Sequence, residues 1–419
     1  MAYNILRSMR EFYFNGDFDR TLRGTPSVLD GSDHTLYHEM ANHFLFAPTP
    51  EESLILPAPL PADFLDYMEQ KALSLPRLRI HPDFSADAEF TPFGWNPHSD
   101  ALNRRYLSPT AHPSLDSVRL ANSREFSHAL EARGGEEAMA RADLFASPEA
   151  VEAHILAHAG IPGWVAKGNH GNAGTANRRL PPGPLGAEDR RALHLLFEES
   201  GKVALEPWQE RLLDLSLNFD LDEEGRVGGI RGHTSLNSRD GAFLGVHVDP
   251  SGQPPTPWRP GLEAAADRLG AALHGIGYFG PVGLDAYIWP GPRGPALRPL
   301  VDVNARLSMA RPSHGLAHRL PGRHILWTWS KPRKLRLPAD YRELTARLGA
   351  ADFDPRTRAG ILAVSPLRLT PTGRRADPSR TSSLATHDLP KRIGFALVAR
   401  EPAELDSLRQ TFTQALGRP

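Results

Sequence analysis

Two aspartates, an asparagine and an arginine fall close together between Gly275 and Ser308. Val282 to Ile288, with Asp285 at its middle, has the β-branched and aromatic content of a strand, and Leu300 to Arg306 reads as a second. Pro290 to Gly294 between them is turn chemistry. Side chains alternate across a strand, so Asp302, Asn304 and Arg306 are expected on one face, with Asp285 set beside them by a hairpin. Two carboxylates, an amide and a guanidinium make an oxygen-rich set for a hard divalent cation, with a positive charge for an anion at its edge. The set reads as a Mg²⁺–ATP site. Alternating polar residues also mark the wet face of any antiparallel sheet, so other stretches must carry the reading further.

The second informative stretch runs from Gly163 to Arg178. A short strand ends in Lys167 and leads into Gly168, Gly171 and Gly174, with His170 among them. Glycines let the backbone approach a phosphate, successive N–H groups form an anion nest, and Lys167 adds a point charge. No Gly-Lys-Ser/Thr follows, so this is not a Walker A loop, and the same pattern also serves a plain hairpin.

The elements that would position these residues follow in order. Residues 1–115 read as an α/β lobe, with a buried strand at Leu54–Leu56 and a helix from Ala62 to Leu75. Asn122 or Ser123 caps a helix running to Arg133. Helices are expected over 148–159, 187–199, 261–274, 340–348 and 402–416. Strands are expected over 203–208, 215–219, 226–230 and 243–248, so the middle of the chain is α+β with a largely antiparallel sheet. Residues 331–336 form a basic run and 374–383 a polar loop.

The 419 residues are enough for two to four domains or lobes. A hydrophobic fraction of 40% and a charged fraction of 23% fit a soluble globular protein. The net charge of −1 gives no bulk attraction to nucleic acid or to an anionic membrane. The absence of cysteine excludes disulfides, thiolate metal sites and cysteine nucleophiles, and suits a reducing, cytoplasmic compartment. No signal-peptide core and no run of ~20 apolar residues is found. Gly275, Gly277 and Gly280 match a dinucleotide string, but they follow a helix and precede a strand, the reverse of what that motif needs. His34/His38, His154/His158 and His314/His318 have helical spacing for zinc but lack the glutamate of a peptidase helix.

In this order, four stretches resemble the ATP-grasp superfamily, of carboxylate–amine/thiol ligase type, over roughly 117–320. They are the strand with Lys167 and its glycine-rich loop, the strand ending Glu206-Pro207-Trp208, the strand with Asp285, and Asp302-Val303-Asn304-Ala305-Arg306. The resemblance implies an ATP-grasp fold, two α+β lobes gripping ATP, behind an N-terminal α/β pre-ATP-grasp lobe. The expected divisions are 1–115 for that lobe, 116–206 for the small lobe, 207–330 for the large lobe with the metal site, and 331–419 for an extension packing on the large lobe. It further implies that Lys167 holds phosphates under the 168–174 loop (Gly168, His170, Gly171, Gly174). Glu206 would accept the adenine amino group, with backbone near Trp208 and Gln209 completing the base site and Asp214 meeting the ribose. Asp285, Asp302 and Asn304 would hold one or two Mg²⁺ ions, with Mn²⁺ as a substitute, and Arg306 would stabilise the transferred phosphoryl group. Arg231 is a second candidate for an oxyanion. Two residues depart from the family pattern: Asp302 stands where glutamate is usual, and Arg124 where an earlier phosphate-binding lysine is usual.

The function so implied is ATP-dependent ligation of a small-molecule carboxylate to an amine, an amino acid or peptide being favoured. An acyl phosphate would be the intermediate and an amide bond the product. A homodimer is in keeping with the superfamily. The alternatives are a small-molecule kinase on the same fold and a non-catalytic ATP-binding protein.

Overall fold

The computed structural model describes residues 9–24, 34–105, 110–134, 142–171, 177–237, 243–370 and 389–417. A parallel sheet lies near the N-terminus, with the buried run Ser53–Leu56 inside it. Its strands β1 (Arg10–Tyr13), β2 (Ser53–Leu56), β3 (Arg77–Ile80) and β4 (Glu89–Pro92) stand in the order β3-β2-β1-β4. The helix that opens after Pro61 ends at Gln70, not Leu75. Its last carbonyls are taken early: Ala72 N–H donates to Glu69 O and Leu73 N–H to Met68 O, with Ala72 in a left-handed backbone at φ 51°.

A second, antiparallel sheet holds β5 (Asp143–Phe145), β6 (Trp164–Gly168), β7 (Asn177–Leu180) and β8 (Val203–Pro207) in the order β5-β8-β6-β7. Trp164, Ala166 and Leu205 pack with Val151, Ile155, Leu193 and Leu196 of two helices into a core distinct from the main one. Those helices, Pro148–Ala157 and Ala187–Ser200, begin where expected, the first capped by Ser147.

The third sheet has eight antiparallel strands. They are β9 (Leu213–Leu221), β10 (Val227–Asn237), β11 (Phe243–Val248), β12 (Gly280–Gly291), β13 (Gly294–Asn304), β14 (His324–Ser330), β15 (Gly360–Ala363) and β16 (Ile393–Ala399). Their order is β13-β12-β9-β10-β11-β14-β16-β15. The chain after Ser330 supplies two strands of this eight-stranded sheet, and its last helix, Pro402–Leu416, packs against it, with Phe412 on Phe395. Leu215, Leu217 and Phe219 of β9, Val282 and Leu284 of β12 and Val303 of β13 share a core with Leu262, Ala266, Leu269 and Leu273 of helix Arg259–Gly275. Register is fixed by this apolar face, which turns the intervening polar residues to the other side.

Candidate functional site

On that polar face, directly opposed residues form rows across β13, β12, β9 and β10. One row reads Asp302, Asp285, Ser216, His233. The next reads Asn304, Gly283, Asn218, Arg231. On the other side, past a bulge between Asp285 and Tyr287, lie Arg298, Tyr287, Asp214 and Ser235. The hairpin therefore sets Asp285 beside Asp302, and Asn304 Nδ2 donates to Asp285 Oδ2 at 3.0 Å. Gly283 keeps this patch open, since a Cβ there would lie 3.4 Å from Asn304 Cβ and 3.6 Å from Asn218 Oδ1.

Arg306 does not share the strand face, because β13 ends at Asn304. The guanidinium returns to the site by another route. Nη2 donates to Asn304 Oδ1 at 3.0 Å, Nε to Asp19 at 3.1 Å, and the group lies over the Phe93 ring. The Thr91–Trp95 loop of the N-terminal lobe thus supports it, and Leu307 N–H donates to Phe93 O. Ser123 is the helix cap, while Asn122 grips the main chain of Ala305 between Asn304 and Arg306.

Arg124 opens helix Arg124–Arg133 and makes a two-pronged contact with Asp302, at 2.9 Å on each side. Asn169 of the glycine-rich loop receives the N–H groups of Arg124 and Glu125, which ties that loop to the helix start. Lys167 is buried and ion-paired with Glu206. Arg298, also buried, donates to Glu206 Oε2 at 2.8 Å, to both oxygens of Glu131 at 2.6 and 3.0 Å, and to the Tyr287 hydroxyl. Burial lowers the Lys167 ammonium to about 8. Burial alone would raise the Glu206 carboxyl, but Lys167 and Arg298 outweigh it and hold Glu206 below the usual carboxylate range. A narrow cavity is lined by Arg124, Ser127, His128, Glu131, Lys167 and Arg298, among others, and among the described residues the buried His128 Nδ1 has no hydrogen-bond partner.

The remaining expected residues fall as follows. Glu206 has both carboxylate oxygens engaged, and Trp208 N–H donates to Gly163 O at 2.8 Å, so neither group is open to a nucleobase here. Gln209 follows directly in the segment after β8. Asp214 accepts from Arg211 at 2.9 Å on the face beneath Tyr287. A Cβ at Gly168 would meet Ser200 Oγ at 2.4 Å, so helix packing requires that glycine whatever the loop binds. His170 is buried and bonds to Arg119 O, Gly171 follows it, and Gly174 lies outside the described residues. Arg231 is exposed, three strands and roughly 14 Å from Asn304, and is not gathered with the carboxylates. His314 bonds His233 at 3.1 Å rather than facing His318, which is exposed. His154 and His158 stack on each other. The His34 and His38 side chains lie outside the described ones. Among the described residues no three His, Cys, Asp or Glu side chains gather as a metal site, so the candidate set stays two carboxylates and an amide. Among them too, no helix is long and apolar enough to cross a membrane.

Sequence reading missed Arg298, Glu131 and Tyr287. One signal was present: Arg298 lies four residues before Asp302, on the same strand parity.

Burial raises the Asp285 carboxyl to about 6, and Asp302 adds to the shift, against Ser216, Arg306 and Asn304. A carboxyl whose folded pKa exceeds its unfolded value favours the folded chain while protonated. That contribution is full below about pH 4 and is lost as pH rises through about 6. Asp285→Asn should therefore stabilise the ligand-free protein at pH 7 by up to about 3 kcal/mol, with little change at pH 4. Urea unfolding of both proteins across pH 4–8 checks this; a constant offset would mean that the Asp285 proton is not involved.

No family model matches the sequence, and no curated protein matches it. Solved structures do. A phosphoribosylamine–glycine ligase from Thermotoga maritima is similar at 11% identity and a TM-score of 0.55, over 97% of each chain. An N5-carboxyaminoimidazole synthetase from Staphylococcus aureus is similar at 9% identity and 0.53, over 98% of this chain and 97% of that one. The corresponding ribonucleotide synthetase from Thermus thermophilus gives 14% and 0.52, over 98% and 99%. The likeness thus takes in the N-terminal lobe and the C-terminal strands as well as the motif-bearing middle. With three sheets in these positions and this match across nearly its whole length, the chain has the ATP-grasp fold.

Proposed function

We propose that the protein is an ATP-dependent ligase that joins a small-molecule carboxylate to an amine. The observation that carries this reading is the polar sheet face. Asp285 and Asp302 stand opposed on one sheet face with Asn304 and Arg306 at their side, and Arg124 reaches Asp302 from across the cleft. A similar solved structure is named a ligase, and an N5-carboxyaminoimidazole ribonucleotide synthetase of the same fold was solved as an ADP complex. Those names support nucleotide use and ligation without naming a substrate for this chain.

The donor set suits Mg²⁺ by type, with three hard oxygen-bearing side chains, Asp285, Asp302 and Asn304, on one hairpin, and Mg²⁺ there would take over oxygens that Arg124 holds on Asp302 and Arg306 holds on Asn304. When bound there, Mg²⁺ would neutralise charge on the β- and γ-phosphates. Arg124 and Lys167 provide positive charge for the phosphates from the small-lobe side, and the unpartnered His128 Nδ1 marks unused polar capacity in the same cavity. Base recognition falls to the main chain of the segment after Glu206, since the Glu206 carboxylate belongs to Lys167 and Arg298.

In the first step a substrate carboxylate oxygen bonds the γ-phosphorus, the bond to the β,γ-bridging oxygen breaks, and ADP leaves. The amine nitrogen then bonds the acyl carbon, the bond from that carbon to the phosphate oxygen breaks, and phosphate leaves as the nitrogen gives up a proton. Arg306, already held by Asn304 and Asp19, offers its charge where the phosphoryl group is transferred. No protein nucleophile is required.

The test is ADP and phosphate release with Mg²⁺–ATP across a panel of amino acids and short peptides, with product masses recorded. A product equal to two substrates less water is the expected result. A phosphorylated substrate without an amide bond would replace ligation with phosphotransfer. Lys167→Met should weaken nucleotide binding about 10- to 100-fold in calorimetry, the range of lost charged hydrogen bonds. Unchanged affinity would remove Lys167 from the site.

A further inference from the structure

A pocket of about 190 Å³ opens where three parts of the chain meet. These are the end of helix Ala62–Gln70, the end of helix Arg311–Arg319 and the segment from Phe353 to Arg358. None of its lining residues belongs to the cavity beside Arg124 and Lys167. Its wall carries Lys71, Arg319 and Arg358 and no carboxylate.

The three cations are not equivalent. Lys71 is buried and bonded to Asp352 and to Phe353 O, so its charge is balanced from behind. Among the described residues the hydrogen bonds of Arg319 go to main-chain carbonyls, Nε to Ser74 O, Nη1 to Phe46 O and Gly315 O, and Nη2 to Pro48 O, and the guanidinium lies over the Phe46 ring. Carbonyls orient a guanidinium but do not cancel its charge, and a partly buried charge without a counter-ion is costly. Burial accordingly lowers Arg319 to about 10, with Glu51 and Glu52 opposing only in part. Arg358 donates to Arg319 O and otherwise presents an exposed side chain. The wall therefore carries the charge of two arginines, that of Arg319 offset only in part by Glu51 and Glu52.

The backbone gives an independent sign. Among the described residues, Ala72 and Arg358 are the non-glycine residues with positive φ, at 51° and 54°, and both line this pocket. A left-handed non-glycine residue is strained and persists where the surroundings enforce it, often at ligand sites. Here the two conformations hold Arg358 and the end of the Ala62–Gln70 helix against one opening.

We propose that this pocket is a second anion site that binds a small phosphate-bearing ligand. The volume equals roughly six water molecules, enough for one phosphate and a few further atoms but too small for a nucleotide. Arginine suits a phosphate because its planar fork can meet two oxygens. A bound anion would join the N-terminal lobe, the helix after the metal strand and the C-terminal segment, stabilising all three together. The proposal does not depend on the reaction assigned to the cleft.

The test uses the full chain and inorganic phosphate, followed by equilibrium dialysis and by the thermal midpoint against chloride of equal ionic strength. Phosphate should bind and raise the midpoint in Lys167→Met, where the cleft is weakened. Arg358→Gln, an exposed change that leaves packing intact, should weaken this binding at least tenfold, and Ser74→Asp should do the same by placing a carboxylate in the opening. Glycerol phosphate run in parallel tells an ester from the free ion by which of the two binds tighter. Loss of all phosphate binding in Lys167→Met, unchanged binding in both Arg358→Gln and Ser74→Asp, or an equal effect of chloride would overturn the site.

Discussion

Asp302→Ala should eliminate ADP formation while leaving a folded protein. The Asp302 side chain holds Arg124 by both oxygens and sits directly opposite Asp285. On the proposed reading, its removal takes one of two carboxylates from the candidate cation set and unmoors the arginine proposed to meet the phosphates, so two contributions to charge neutralisation would fail together. Loss of a single preorganised electrostatic contact typically lowers turnover about 10²–10³-fold, and this change should meet or exceed that. The structural effect is smaller, about 1–3 kcal/mol, because Arg124 keeps its bond to Val301 O and the Asp302 side chain is 31% exposed. Asp302→Glu supplies the residue usual in the resembled family and should retain measurable turnover. Steady-state ADP release with a thermal midpoint for each variant separates the two effects. Full activity in Asp302→Ala would remove this residue from the cation site.

Asp302 and Asn304 could be found from sequence because strand alternation is local: two polar residues at i and i+2 in an apolar run must share a face. Asp285 followed from the Pro290–Gly294 turn, which sets the hairpin. Arg306 was placed on that face by the same rule, yet the strand stops at Asn304, and what returns Arg306 to the site is Asp19 and Phe93, more than 200 positions away in the chain. No periodicity reports such a contact. Asn122 shows the same limit. Its type suits a helix cap, and only the tertiary fold reveals that Ser123 is the cap and Asn122 the clip on Ala305. Glu131 gives no signal in its own segment, since burial of one helix face by another part of the fold leaves no mark there. The C-terminal strands were hidden for a related reason: β16 pairs with β14 across a long separation, which sequence alone does not specify.

Arg298→Met should give the largest loss of stability, about 3–5 kcal/mol, because it strands buried charge rather than merely deleting a contact. Arg298 and Glu131 are buried, and Glu131 has both oxygens on this one guanidinium. Glu206 would keep Lys167, whereas Glu131 would lose the guanidinium that meets both its oxygens, so the coupling to measure is that between Arg298 and Glu131. The double variant Arg298→Met with Glu131→Leu should then be less destabilised than the sum of the two single changes, and close to Arg298→Met or better. Replacing both members of a buried pair with apolar groups removes the unpaired charge along with the pair. Denaturant unfolding of the four proteins measures this coupling; additive losses would mean that the two residues act independently. The same cycle bears on function. Arg298 lies on β13 of the eight-stranded sheet, while Glu131 comes from helix Arg124–Arg133 and Glu206 from β8 of the four-stranded antiparallel sheet, so the contact ties these three elements together. If the double variant regains stability but binds nucleotide more weakly than the parent, the buried charges serve to hold Glu206 and Lys167 in place. If stability and nucleotide affinity return together, packing alone sets that geometry.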